Sequence, residues 1–171
     1  MQFDIEFQAD HITRMMEAVR REVATPQEML GSMGESLLRV NQERHAQGVD
    51  PEGQKWKELA DSTKAAGKRK GGPLNRTGRM LANFHYQVQN DALRLGFDDG
   101  DGFPAIFHQG GSRPHVITAR KAKALHFGGM FRKRVNHPGL EARPLVGFPA
   151  SDQKLVADVV TDHLSLAIKG L

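Results

Sequence analysis

The sequence predicts an α+β fold, an antiparallel β-meander with N-terminal helices and a C-terminal helix packed on one face. Three observations predict it. Apolar stripes at helical spacing fill the first 48 residues, two alternating segments joined by Asn90-Asp91 follow in the middle, and a last apolar stripe begins at Ser151. The 171 residues are 39% hydrophobic but include one Trp and one Tyr, which suits a single domain with a modest core.

Taken in order, Phe3, Ile5 and Phe7 alternate with polar residues and predict a short strand. The segment His11 to Val23 carries Ile12, Met15, Met16, Val19 and Val23 at helical spacing. Thr25-Pro26-Gln27-Glu28 reads as a capping box, with Thr25 as N-cap, Pro26 at the first helical position and Glu28 reaching back. Met29 or Leu30, Met33, Leu37 and Val40 continue the stripe, and this second helix is expected to end near Gln47-Gly48. Core packing is the simplest role for the stripe, with a subunit contact as the alternative.

Asp50-Pro51-Glu52-Gly53 is the tightest part of a turn-rich break. Lys64 to Gly72 has nothing to bury and predicts an exposed loop. Thr77-Gly78-Arg79-Met80-Leu81 opens a short helix or turn. Phe84, Tyr86 and Val88, then Leu93, Leu95 and Phe97, alternate around Asn90-Asp91 and predict a β-hairpin. Asp98-Asp99-Gly100-Asp101-Gly102 resembles a cation loop but lacks the bidentate Glu that should follow, so a solvated turn is expected. Val116-Ile117-Thr118 and Leu125-His126-Phe127 read as strands, and Gly128-Gly129 with Arg132-Lys133-Arg134 as a loop or extended arm. Leu155, Val159, Leu164, Leu166 and Ile168 are the expected buried positions of the last helix. The chain thus divides into a helical part (1–48), a β-meander with loops (49–150) and a closing helix (151–171).

Composition narrows the function. No run of 18 apolar residues suggests a membrane span, the N-terminus lacks a secretory pattern, and the absence of cysteine excludes disulfides and thiolate metal sites. The net charge of +4 is unevenly spread. Residues 1–60 hold 7 basic and 11 acidic side chains, whereas residues 113–143 hold 8 basic and a single acidic one. Lys64, Lys68, Arg69 and Lys70 form one basic segment, and Arg120, Lys121, Lys123, Arg132, Lys133 and Arg134 another. Each could face an acidic neighbouring subunit or, less specifically, DNA. The segment 64–79 contains no aromatic residue to stack on bases, and 113–143 offers only Phe127 and Phe131.

Eight histidines are scattered along the chain, none in a His-x-x-x-His pair that would set two imidazoles on one helical face. Nucleophile-elbow, Walker A and dinucleotide-binding patterns are absent. No catalytic residue, metal ligand, cofactor or small-molecule site is therefore expected.

The remaining landmarks resemble a known family. Gly53-Gln54-Lys55-Trp56-Lys57-Glu58-Leu59 is similar to the "G-x-x-W-x-x-L" segment of the phage virion morphogenesis (tail completion) proteins, related to phage minor tail and neck proteins. Leu74-Asn75-Arg76-Thr77-Gly78-Arg79-Met80-Leu81 resembles their "L-x-x-T-G-x-L" turn, and Ala105 to Gly111 their "A-x-I-H-Q-x-G" turn, with His108 in place and Gly110 next to the closing glycine. Glu141-Ala142-Arg143-Pro144-Leu145-Val146-Gly147 resembles "x-A-R-P-F-L-G", with Leu145 for the usual Phe. Read physically, Trp56, Leu59 and Leu145 are core anchors, Gly53, Gly78 and Gly110 are turn residues, Thr77 caps the turn at Gly78, and Arg143 holds a carboxylate or carbonyl. The resemblance implies a structural, non-enzymatic protein of tail completion or head–tail joining. It would form a ring of itself, such as a hexamer, on the tail tube or connector, first in the host cytoplasm and then in the virion. The alternative is a DNA-binding accessory protein using segments 64–79 and 113–134.

Overall fold

The computed structural model describes residues 9–65, 71–97, 99–127 and 129–170. The strand expected over Phe3 to Phe7, and Lys68, Arg69 and Lys70, lie outside them. In chain order the elements are α1 (Ala9–Ala24), α2 (Gln27–Gln47), α3 (Asp61–Ala65), α4 (Arg79–Ala82), β1 (Phe84–Gln89), β2 (Ala92–Phe97), α5 (Asp99–Gly110), β3 (His115–Thr118), β4 (Leu125–Phe127), β5 (Met130–Arg132), β6 (Arg134–His137) and α6 (Ala150–Lys169). The class is α+β. Among the described residues the strands fall into three two-stranded ladders, β1–β2, β3–β6 and β4–β5, where alternation alone suggests one continuous meander. No helix among them is long and apolar enough to cross a membrane.

The elements gather into two compact units. The first comprises Met1–Arg39, Tyr86–Leu95 and Ala150–Leu171, the second Val40–His85 and Gly96–Pro149. In the first, α1 packs against α6, where His163 Nε2 lies 2.8 Å from Glu22 Oε2. Met33 and Leu37, one helical turn apart on α2, are buried, as is Ala18 of α1. Tyr86 of the hairpin sits on Gly34, where an added Cβ would lie 2.7 Å from the ring's Cγ. The hairpin turns at Asn90, whose φ of 54° falls in the left-handed region that Asn tolerates.

Several expectations need correction here. The Thr25 hydroxyl donates to the Arg21 carbonyl at 3.1 Å and so closes α1, while the Pro26 carbonyl accepts from Leu30 N–H to begin α2. The capping box is therefore not the device that starts α2. Ile12, Met16 and Val23 are 54%, 66% and 58% exposed, and Leu166 of α6 is 69% exposed, so these apolar positions are not core. Helical spacing identifies an apolar face but not whether the same chain covers it.

In the second unit the buried residues include Trp56, Phe84 and Ala105, and Phe84 stacks at a tilt on Phe97 with centroids 4.9 Å apart. The acidic stretch from Asp99 is helical, the start of α5, and not a solvated turn. The Asp-Gly repeats favour a turn locally, but the later turns of α5 bury Ala105 and pack on α4, and that tertiary contact wins.

Candidate functional site

The site is a joint in the second unit, and it starts where α2 stops. Gly48 takes φ 70°, its N–H donates to the His45 carbonyl, and the Val49 N–H donates to the Arg44 carbonyl. This paired closure is a Schellman motif, which needs a residue at ease with positive φ. The chain then folds into a tight loop. Gly53 N–H donates to the Asp50 carbonyl at 2.9 Å, the Asp50 carboxylate accepts from Gln54 N–H at 2.7 Å, and Trp56 N–H returns to the Gly48 carbonyl. Gly53 has φ 82°. The loop thereby brings Trp56 back onto the end of α2, edge-on to His45 with centroids 5.5 Å apart.

The segment 143–147 crosses this loop in an extended path and is held at every step. Arg143 N–H donates to the His108 carbonyl at 2.6 Å. The Arg143 guanidinium donates through Nε and Nη2 to the Lys57 carbonyl, at 3.2 and 3.0 Å. Trp56 Nε1–H donates to the Pro144 carbonyl at 3.1 Å. Gln109, at the end of α5, accepts from Leu145 and Val146 N–H at 2.7 and 3.0 Å, and its Nε2 donates to the Val146 carbonyl at 2.8 Å. Gly147 lies flat on Pro51, where an added Cβ would meet the proline Cβ at 2.7 Å. Lys57 and Glu141 pair above the joint at 3.1 Å, but both are exposed, so the pair adds little.

Three of the four motif segments are thus bonded to one another, and the fourth borders the same cleft. That cleft, about 1430 Å³, is lined by Leu59, Thr77, Gly78, Met80, His108 and Arg143 among others. Gly78 has φ 80° and starts α4, while Thr77 Oγ1 stands a long 3.5 Å from Arg79 N, so the glycine rather than the hydroxyl makes the turn. Trp56 is buried, whereas Leu59 and Leu145 are half-buried. The positive φ of the third motif falls on Gly111, at 70°, because Gly110 is still helical. A Cβ on Gly111 would lie 2.7 Å from the Leu140 carbonyl oxygen.

Two histidines flank the joint. His45 Nε2 and His108 Nδ1 are buried without a hydrogen-bond partner among the described residues. Burial pushes the pKa of His45 below its ordinary value. For His108 burial does the same, reinforced by the Arg143 guanidinium. Burial thus favours the neutral form of both rings, and the His45 ring packs edge-on to Trp56. Among the described residues no group of three or more His, Asp or Glu is placed to hold a metal ion.

Of the residues of the two basic segments, Lys64 lines the cleft, and none of the described ones donates to the bonds of the joint. Lys64 pairs with Glu58 at 3.2 Å on the surface. Arg120, Lys121 and Lys123 sit between β3 and β4, and Arg132, Lys133 and Arg134 run from β5 into β6. What sequence reasoning misses is Gln109, which carries three of the bonds, together with His45 and Pro51. Gln109 is present in the third motif, but a polar residue in a presumed turn gives no sign that it clamps a segment 36 residues away.

No curated protein and no solved structure matches the chain. The sequence model of the phage virion morphogenesis family, by contrast, matches residues 7–165, a stretch that holds all four motif segments and runs from α1 into α6. The chain belongs to the phage virion morphogenesis family.

Proposed function

We propose that the protein is a tail completion or head–tail joining subunit, of the neck or tail-terminator kind, acting by binding other virion subunits and not by catalysis. The observation that carries this reading is the joint. Its hydrogen bonds, from Trp56, Gln109 and Arg143, all go to backbone groups, so the shared residues fix chain geometry. A site that spends its polar side chains on holding its own backbone supports a shaped surface, which is what an assembly subunit needs. Virion morphogenesis, the family's setting, supports other virion subunits as the class of partner.

In this reading copies close into a ring, such as a hexamer, through heterologous contacts in which one patch meets a different patch on the neighbour. The charge division suits such pairing. The ranges of the first unit hold 11 acidic and 7 basic residues, those of the second 9 acidic and 17 basic. The ring caps the tail tube or meets the connector, assembling in the host cytoplasm before it joins the virion. Contact with phage DNA is at most non-specific.

Electron microscopy of lysates carrying an early stop codon in the gene tests the reading. Filled heads and separate tails, or tails of abnormal length, are expected. Intact, infectious virions would overturn it.

A further inference from the structure

Among the described residues, 115–127 and 129–137 form two ladders that continue one another as a two-stranded ribbon. β3 pairs with β6 from His115↔His137 to Thr118↔Arg134, Ala119 N–H donates to the Lys133 carbonyl at 3.1 Å, and β4 pairs with β5 from Leu125↔Arg132 to Phe127↔Met130. Residues 120–124 bulge from one strand between the two ladders. At ~3.3 Å per residue the ribbon reaches roughly 25 Å from His137 to its tip at Gly129. His115 and His137 stack at its root, with centroids 4.9 Å apart.

The ribbon holds six basic residues and no acidic one. Its apolar side chains are also left uncovered. Every residue of β3 is exposed, Met130 is 48% exposed, and Phe131, stacked on His126 at 4.6 Å, is 71% exposed. A two-stranded ribbon is marginally stable in water unless it packs on something else. An arm that is basic and apolar on its outside is complementary to a surface that is acidic and apolar.

The first unit exposes groups of both kinds on its two packed helices. On α6, Asp158, Asp162 and Leu166 fall at i, i+4 and i+8 on one exposed face, with Leu166 at 69% and Asp158 in an exposed pair with Lys154 at 2.6 Å that an incoming cation would have to share. On α1, which packs against α6, Ile12, Met16 and Val23 share one exposed face. The ranges of this unit hold 11 acidic and 7 basic residues.

We propose that the ribbon of one copy docks on the α1–α6 face of a second copy, with Phe131 and Met130 against the apolar residues and the Arg132-Lys133-Arg134 cluster against Asp158 and Asp162. The contact is head-to-tail, so repetition generates a ring or a chain. It rests on the reading of the protein as a self-associating virion subunit.

A charge swap in the full-length protein tests it. One variant carries Arg132→Glu, Lys133→Glu and Arg134→Glu, a second carries Asp158→Lys and Asp162→Lys, and a third carries Phe131→Ala alone. Circular dichroism verifies that each is folded, and sedimentation velocity reads its mass. The wild type is expected to sediment as an oligomer, and each charge variant alone as a 19.0 kDa monomer. Mixing the two charge variants restores complementary signs at both contacts and should restore the oligomer. Phe131→Ala should weaken association at least tenfold. Loss of the oligomer without rescue on mixing would overturn the pairing of these two surfaces. Charge variants that stay oligomeric, or an arm that binds plain duplex DNA while self-association is unchanged, would overturn it too. A wild type that stays monomeric at all concentrations would overturn a second copy as the occupant. The virion role would still stand, because the stop-codon experiment tests that separately.

Discussion

Trp56 is the only tryptophan in the chain and is buried in the joint, so replacing it tests the joint's energetics directly. It is 8% exposed, packs edge-on to His45 and donates to the Pro144 carbonyl 88 residues away. Trp56→Ala removes the whole ring, a change that costs about 3–5 kcal/mol at buried sites. Trp56→Phe keeps a ring but loses the N–H, leaving the Pro144 carbonyl without that donor at a cost of about 1 kcal/mol. The smaller volume should add a comparable amount, for a total of about 2 kcal/mol. In a chain of this size each kcal/mol lowers Tm by about 2–4 °C. The expected drops are therefore about 6 °C for Phe and about 12 °C for Ala. Urea unfolding followed by circular dichroism gives the free energies. Amide exchange should show faster opening in residues 49–57 and 143–147 first. If both variants unfold within about 0.5 kcal/mol of the wild type, the segments are not held together as described.

Other changes probe the same joint. Gln109→Ala removes three hydrogen bonds at an exposed position where water can substitute, so a loss of about 1–2 kcal/mol is expected, with Trp56 fluorescence shifting red before global unfolding. Gln109→Glu keeps the two acceptor contacts and loses the donor, and should fall between wild type and Ala in the same assay. Gly147→Ala drives a Cβ into Pro51 and should cost about 1–3 kcal/mol by urea midpoint. His45 and His108 have folded pKa values below the unfolded value of about 6.5, so the unfolded chain takes up protons first as pH falls. Their contribution is complete above that unfolded value and is lost as pH falls through it toward the folded values. Urea midpoints measured at pH 7.5 and pH 5.5 should drop on acidification, and less so in a His45→Gln, His108→Gln double variant.

Much of the architecture was legible because it is local. The hairpin at Asn90-Asp91, the end of α2 at Gly48 and the span of α6 each follow from a turn residue beside a periodic apolar run. What was not legible is pairing and cover. Alternation marks β3 as a strand, but the basic stretch that leads into β6 reads as a loop or arm, and nothing local says that the two segments pair around 119–133. The spacing of Ile12, Met16 and Val23 marks a face, while only the folded chain shows that α6 leaves that face outside. Asp-Gly repeats mask the start of α5, and the turn glycine is Gly111, the last residue of the motif, and not Gly110 as expected. The motif residues Gly53, Trp56, Gly78 and Arg143 were found from the sequence. The meeting of Gly53, Trp56 and Arg143 in one joint depends on contacts across 86 and 88 residues, to which no local signal gives access.

The central claim is that this chain is a subunit of the assembled virion at the end of the tail. Immunogold labelling of purified particles with antibody to the protein tests it most directly. Label confined to the head-proximal end of the tail is the expected result. Particles without label, with the protein left in the soluble fraction of the lysate, would contradict it.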